Sequence, residues 1–254
     1  MLSGAAESFS DRPYALRKSD DGWYSRTFSQ LRDDAITLSC ALQREGIGHD
    51  HKGVLLAEGS PEWITAEFAL LYAGAISVPL SIRLLSEEVP FRVNHSEASV
   101  LFLSANTVGA VESVIEELQV DRLLFVILDD DPKVKERIER AVNGYDGYRC
   151  RTFSELMEEG RWVDETERAG VVAREGEAEE DEVVTISYTS GTTGNPKGIM
   201  LTNVNYYVNC HDSIEMFQVP YDFKTLIILP CDHSFAHTLG LYAARVLGII
   251  LHIF

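Results

Sequence analysis

Between Thr189 and Gly198 the chain gathers the hydroxyls of Thr189, Ser190, Thr192 and Thr193, the glycines Gly191, Gly194 and Gly198, and one cation, Lys197. This mixture suits a polyphosphate. Glycines let the main chain approach closely and turn its N–H groups into an anion-binding concavity. The hydroxyls can donate to phosphate oxygens or ligate a hard cation such as Mg²⁺. Lys197 is a compact point charge suited to β- and γ-phosphates. A plain hairpin tip needs only a few turn residues, not a long run that ends in Pro-Lys-Gly. Nor is this a Walker A loop, which requires Gly-Lys-Ser/Thr together; here Pro196 precedes the lysine and Gly198 follows it.

The flanking residues must position that loop. Val183–Tyr188 is apolar and β-branched, hence strand-like, and Ile199-Met200-Leu201 reads as a resumed buried run. Thr202 can cap a helix carrying Val204, Tyr207, Val208 and Ile214. Thr225–Leu229 reads as a strand, residues 229–235 as a loop holding His233, Ala236–Leu247 as a Gly/Ala-rich helix, and Ile249–Phe254 as a further apolar strand. That last strand needs sheet neighbours that the chain is not expected to supply.

Upstream, residues 1–22 read as an arm. Trp23–Phe28 reads as a strand, followed by a helix with Leu31, Ala35, Leu38 and Leu42 at helical spacing. Ser60-Pro61-Glu62 is a strong helix start, with Gly74 as the stop. Short apolar strands at Val54–Ala57, Ile76–Leu80, Val100–Leu103 and Leu123–Leu128 alternate with helices opening at Ser86, Val108 and Pro132. The alternation predicts an α/β fold with doubly wound, mostly parallel sheets. From Met157 to Glu182 acids accumulate, which reads as a solvated helix and loop.

The net charge is −18 over 254 residues, which excludes non-specific nucleic-acid binding and attachment to anionic membranes. Cys40, Cys150, Cys210 and Cys231 are scattered without zinc spacing, as in reduced thiols of a cytoplasmic protein. No apolar signal segment opens the chain. Its longest apolar stretch, 64–80, contains Glu67, Gly74 and Pro79, so no transmembrane segment is expected.

Tyr188–Gly198, YTSGTTGNPKG, resembles the phosphate-loop signature of the adenylate-forming superfamily: acyl-CoA synthetases, peptide-synthetase adenylation domains and luciferases. Thr27–Leu31, Leu71–Leu80, Asn94–Ala98 and Leu229-Pro230-Cys231-Asp232-His233 are similar to further family segments in the same order, and Asn203 departs from a frequent histidine. The resemblance implies an ATP-dependent acyl-CoA synthetase that forms an acyl-adenylate and passes the acyl group to coenzyme A. In it Thr189, Ser190, Gly191, Thr192, Thr193, Gly194 and Lys197 would bind the nucleotide. Thr192 would contact Mg²⁺, Lys197 would neutralise pyrophosphate charge, and His233 would stand where the carboxylate meets the acyl pocket. His237 is expected to be structural. Phe235, Leu239, Leu241 and Tyr242 would suit a hydrophobic, fatty acid, or equally plain core packing.

The family's ribose aspartate, acidic Mg²⁺ partner and C-terminal lysine domain have no counterparts here. The expectation is therefore an incomplete N-terminal domain, inactive alone, with residues 1–180 as a first subdomain and 181–254 as the start of a second. An adenylation module that loads a carrier protein, or a non-catalytic nucleotide-binding remnant, are the alternatives. The sequence does not specify the oligomeric state.

Overall fold

Side-chain caps start the helices where the chain offers a hydroxyl or carboxylate. Thr27 accepts from the Gln30 N–H, Ser60 from Trp63, Asp131 from Lys133, Thr152 from Glu155, Asp164 from Glu167 and Thr202 from Asn205. The computed structural model describes residues 2–19, 22–189, 196–218, 220, 223–243 and 248–253. In chain order the elements are α1 (Leu2–Phe9), β1 (Pro13–Ser19), β2 (Gly22–Thr27), α2 (Phe28–Arg44), β3 (Lys52–Leu56), α3 (Pro61–Tyr72) and β4 (Ile76–Pro79). Next come α4 (Val89–His95), β5 (Ala98–Leu103), α5 (Val108–Glu112), β6 (Leu123–Ile127), α6 (Pro132–Ala141), β7 (Tyr148–Thr152), α7 (Phe153–Arg161) and α8 (Glu165–Glu177). The last are β8 (Val183–Thr189), β9 (Lys197–Thr202), α9 (Asn203–Phe217), β10 (Lys224–Ile227), a π-helix over Ala236–Ala243, and β11 (Ile250–Ile253).

The strands form two sheets. Seven run in the order β7-β6-β5-β3-β4-β8-β9, parallel from β7 to β8, with β9 antiparallel at the edge. Four run in the order β10-β11-β1-β2, the first three parallel and β2 antiparallel. Successive residues of the central strands enter different cores, as strand geometry requires of a sheet covered on both faces. Leu55, Phe102 and Val126 pack with Leu38, Leu42 and Phe68 of α2 and α3. Val54, Leu101 and Phe125 pack with Val93, Val111 and Ile138 of α4, α5 and α6. This is the mixed α/β architecture, with a parallel sheet flanked by helices, that the alternation predicts.

Several local expectations are corrected. The supposed arm is structured: Leu2, Ala5 and Ala6 are buried, and the Tyr14 hydroxyl of β1 donates to Leu241 O at 2.7 Å. The helix expected from Val108 to Leu118 is α5 plus a 3₁₀ turn at Ile115–Glu117, and Ser86–Glu88 is a 3₁₀ turn before α4. Ile199 and Met200 are not buried; on an edge strand Met200 is 65% exposed. The final strand does have neighbours: β11 lies between β10 and β1, with Leu251 fully buried. Strands on either side of residue 180 share both sheets: β8 and β9 extend the seven-stranded one, and β10 and β11 join β1. No helix among the described residues is long and apolar enough to cross a membrane.

Candidate functional site

In a parallel sheet all strands deliver their carboxyl ends to one edge, where open α/β folds bind ligands. Here β3, β4 and β8 are mutually parallel, so the exits of Leu56, Pro79 and Thr189 share that edge. Thr189 pairs with Lys197 across the β8–β9 ladder, and both side chains are exposed. The two thus flank the mouth of the hydroxyl-rich segment. Ser190, Gly191, Thr192, Thr193 and Gly194 lie outside the described residues. Lys197 makes no ion pair with any described residue, so its charge remains available at that mouth.

Gly198 lets the hairpin close tightly. A Cβ there would stand 2.8 Å from Ile186 Cγ2 and 3.6 Å from the Tyr188 ring. Tyr188 ties the end of β8 to α4: its hydroxyl is 2.8 Å from His95 Nδ1, and the Arg92 guanidinium lies 5.9 Å over its ring. Burial pushes the Tyr188 phenol above its ordinary range, against the opposing Arg92 charge.

His233 reaches the same edge of the sheet by another route. Its loop packs on the turn after β3, where a Cβ on Gly59 would meet Cys231 Sγ at 2.6 Å. The His233 ring is exposed, and its Nδ1 accepts from the Phe235 N–H at 3.2 Å. A backbone donor on Nδ1 selects the neutral tautomer with a proton on Nε2, which can then donate to a carboxylate or carbonyl oxygen. The main chain fixes this loop, with His233 N donating to Pro230 O and His237 N to His233 O, each at 2.9 Å. Beside it burial raises the Asp232 carboxyl and pushes the Cys231 thiol up to about 12.

The four apolar residues proposed for the acyl chain divide. Phe235 is 56% exposed and Leu239 half-buried, whereas Leu241 and Tyr242 belong to the core. A separate cavity of about 350 Å³, lined by Phe68, Tyr72, Val184, Val204 and Tyr207, opens near the start of β8, away from the loop. The described residues contain no group of three His, Cys, Asp or Glu side chains able to hold a metal.

Inspection of the sequence missed a buried polar group behind His233. Glu67 of α3 is fully buried, and its carboxylate accepts from Ser77 of β4 and, at 2.6 Å, from the Tyr242 hydroxyl. His237 Nε2 stands 3.2 Å from Glu67 Oε1, in ion-pair range but off the line of a hydrogen bond. His237 Nδ1 is 2.8 Å from the Tyr206 hydroxyl of α9. Burial acts to raise the Glu67 pKa, but the facing His237 and the Ser77 and Tyr242 hydroxyls outweigh it and hold the carboxyl below its ordinary value. The signal available beforehand was one glutamate inside an apolar run, which burial tolerates only with partners.

The family profile described as AMP-binding enzyme matches residues 2–254. The chain belongs to that family. Among curated relatives it is 25% identical over 234 residues to 4-hydroxybutyrate–CoA ligase 2 of Metallosphaera sedula, covering 92% of this chain and 39% of that protein. It is 31% identical over 214 residues to the peroxisomal long chain acyl-CoA synthetase 6 of Arabidopsis thaliana, covering 82% and 28%. The chain therefore spans less than half the length of these relatives. In fold it resembles the N-terminal domain of FACL13 from Mycobacterium tuberculosis, with a TM-score of 0.75 at 21% identity, covering 99% of this chain and 55% of that one.

Proposed function

We propose that this AMP-binding chain forms the nucleotide-loop half of an ATP-dependent acid–thiol ligase. The observation that carries the reading is the pairing of Thr189 with Lys197 astride the hydroxyl-glycine segment, at the sheet edge that also receives the His233 loop. In the first half-reaction a carboxylate oxygen attacks the α-phosphorus of ATP. The α–β phosphoanhydride bond breaks, and pyrophosphate leaves with its electron pair. In the second, a thiolate, taken to be that of coenzyme A, attacks the acyl carbon and displaces AMP.

Such transfers depend on positioning and charge stabilisation. Lys197 would meet the departing pyrophosphate, joined by Ser190, Thr192, Thr193 and the main chain around Gly191 and Gly194. The Nε2 proton of His233 would orient the carboxylate. Mg²⁺ would enter with the nucleotide: Thr192 is the candidate protein ligand, and hydroxyl oxygen is a suitable donor for a hard ion. The acid is read as hydrophobic, with Phe235 and Leu239 at the entrance to its site. The four free cysteines suit a reducing compartment.

The test is ATP–pyrophosphate exchange with acetate, medium-chain, long-chain and aromatic acids, on this chain and on the product of the complete reading frame. Exchange by the full product with a hydrophobic acid supports the reading, and exchange with acetate alone refutes the acid class. Lys197→Ala should lower kcat/KM for ATP roughly tenfold or more, the worth of one charge-assisted phosphate contact, while acid binding holds. His233→Ala should instead impair use of the acid.

A further inference from the structure

Residues 236–243 form a π-helix, a rare geometry that closes i→i+5 hydrogen bonds and marks functional sites more often than chance. Its register has a visible consequence. His237 and Tyr242 are five residues apart, and both address the same oxygen, Oε1 of Glu67, at 3.2 and 2.6 Å. In an α-helix residues five apart point about 140° away from each other, so one of the two would turn off the carboxylate. The π register and the Glu67 cluster therefore require each other. His233 sits one turn before His237 and hands its carbonyl to the His237 N–H, so the register of this helix sets where the His233 ring stands.

The cluster also reaches the flanks of the nucleotide loop. Ser77 lies on β4 beside Thr185 of β8, the strand that runs into the loop. Tyr206 lies on α9, which follows β9. Burial raises the Tyr206 phenol well above its usual range, against the opposing hydroxyl of Thr185, so it stays neutral. Ser77 of β4 and His237 and Tyr242 of the π-helix thus meet one buried carboxylate, and Tyr206 of α9 joins them through His237.

We propose that Glu67, His237, Tyr206 and Tyr242 form a positioning device. It locks residues 236–243 in π register and thereby holds His233 at the carboxyl edge of the sheet relative to the nucleotide loop. These are positioning residues, since none needs to touch substrate. The inference rests on the assignment of His233 to the acid. It adds a set of residues, behind the site, on which acid recognition depends.

The test uses Tyr242→Phe, which keeps the ring and removes only the hydroxyl, with Glu67→Gln as a second variant. Amide hydrogen exchange on the 254-residue chain should accelerate roughly tenfold across 233–243 in either variant, while β3, β5 and β6 keep their protection. In the full reading-frame product the same variants should raise KM for the acid roughly tenfold, with KM for ATP held within about twofold. His233→Ala is assayed alongside. If it leaves acid use intact, the reading of His233 fails, whatever the exchange data show. If it impairs acid use but Tyr242→Phe and Glu67→Gln alter only thermal stability, the positioning inference is overturned. Unchanged exchange across 233–243 overturns it equally.

Discussion

Gly160→Ala and Gly170→Ala are the same chemical change at two helical sites, and the structure assigns them opposite signs. In α7 a Cβ on Gly160 would stand 2.0 Å from Thr37 O and 2.8 Å from Thr37 C in α2, whereas ordinary contact begins at 3.4 Å. The obstacle is backbone, which cannot rotate away. Helix α7 must retreat by the difference, about 1.4 Å, and it carries the buried Leu156 and Met157 with it. Overpacking of this kind costs about 1–3 kcal/mol, offset by roughly 1 kcal/mol of improved helix propensity and aggravated by the loosened apolar contacts. A net loss of about 2 kcal/mol is expected. In α8 a Cβ on Gly170 would meet nothing within 4 Å, so only the propensity gain of roughly 1 kcal/mol remains. The two variants should differ by about 3 kcal/mol in urea-induced unfolding, and by about 6–12 °C in Tm for a chain of this size. Equal stabilisation by both would show that α7 does not cross α2 at Gly160.

Two further outcomes are expected. Burial pushes the Cys231 thiol, 4% exposed, from its ordinary value of 9.0 up to about 12. Between those values the folded chain holds a proton that the unfolded chain has lost, so stability falls with rising pH by about 1.4 kcal/mol per unit. Urea titrations from pH 9 to 11 should show that slope, and Cys231→Ala should flatten it; an unchanged slope would mean that other groups set the alkaline limit. Leu251→Ala, in the middle of β11, should cost about 2–5 kcal/mol through lost burial and a residual cavity. A loss below 1 kcal/mol would mean that β11 is not seated between β10 and β1.

The parts of the fold that local chemistry dictates were legible in advance. Ser60-Pro61-Glu62 starts α3 because a side-chain oxygen, a fixed φ and an early acid act within one turn, and Thr202 starts α9 through a capping box with Asn205. The apolar strands β3, β5 and β6 announced a covered parallel sheet by their uniform runs. What failed depends on partners distant in sequence. Residues 2–19 looked like an arm because their burial comes from α2 and from the far C-terminal segment. β7 was missed because Arg149 and Arg151 mask its alternation; they point at Glu45, which follows the last residue of α2, a pairing no local window contains. Met200 misled in the other direction, since hydrophobicity alone does not say which strand is last in a sheet. At the site, Lys197 and His233 stood out by their types and neighbours, and the structure leaves both side chains exposed. Glu67 gave no hint of its three partners, Ser77 on β4 and His237 and Tyr242 on a helix whose register composition does not encode.

The placement of β1 has a consequence for how the chain is made. Ala15 pairs with Leu251, so β1 waits until residues 250–253 have been made before its second edge is satisfied. During synthesis β3 to β7 can assemble from near neighbours, while the β1–β2 hairpin keeps an open edge in water. Closing that sheet joins segments far apart in sequence, a step of high contact order that is slow and exposed to mispairing. On the ribosome the small sheet should therefore close after β3 to β7 have assembled, and the open β1 edge is the surface a nascent chain most needs shielded until then.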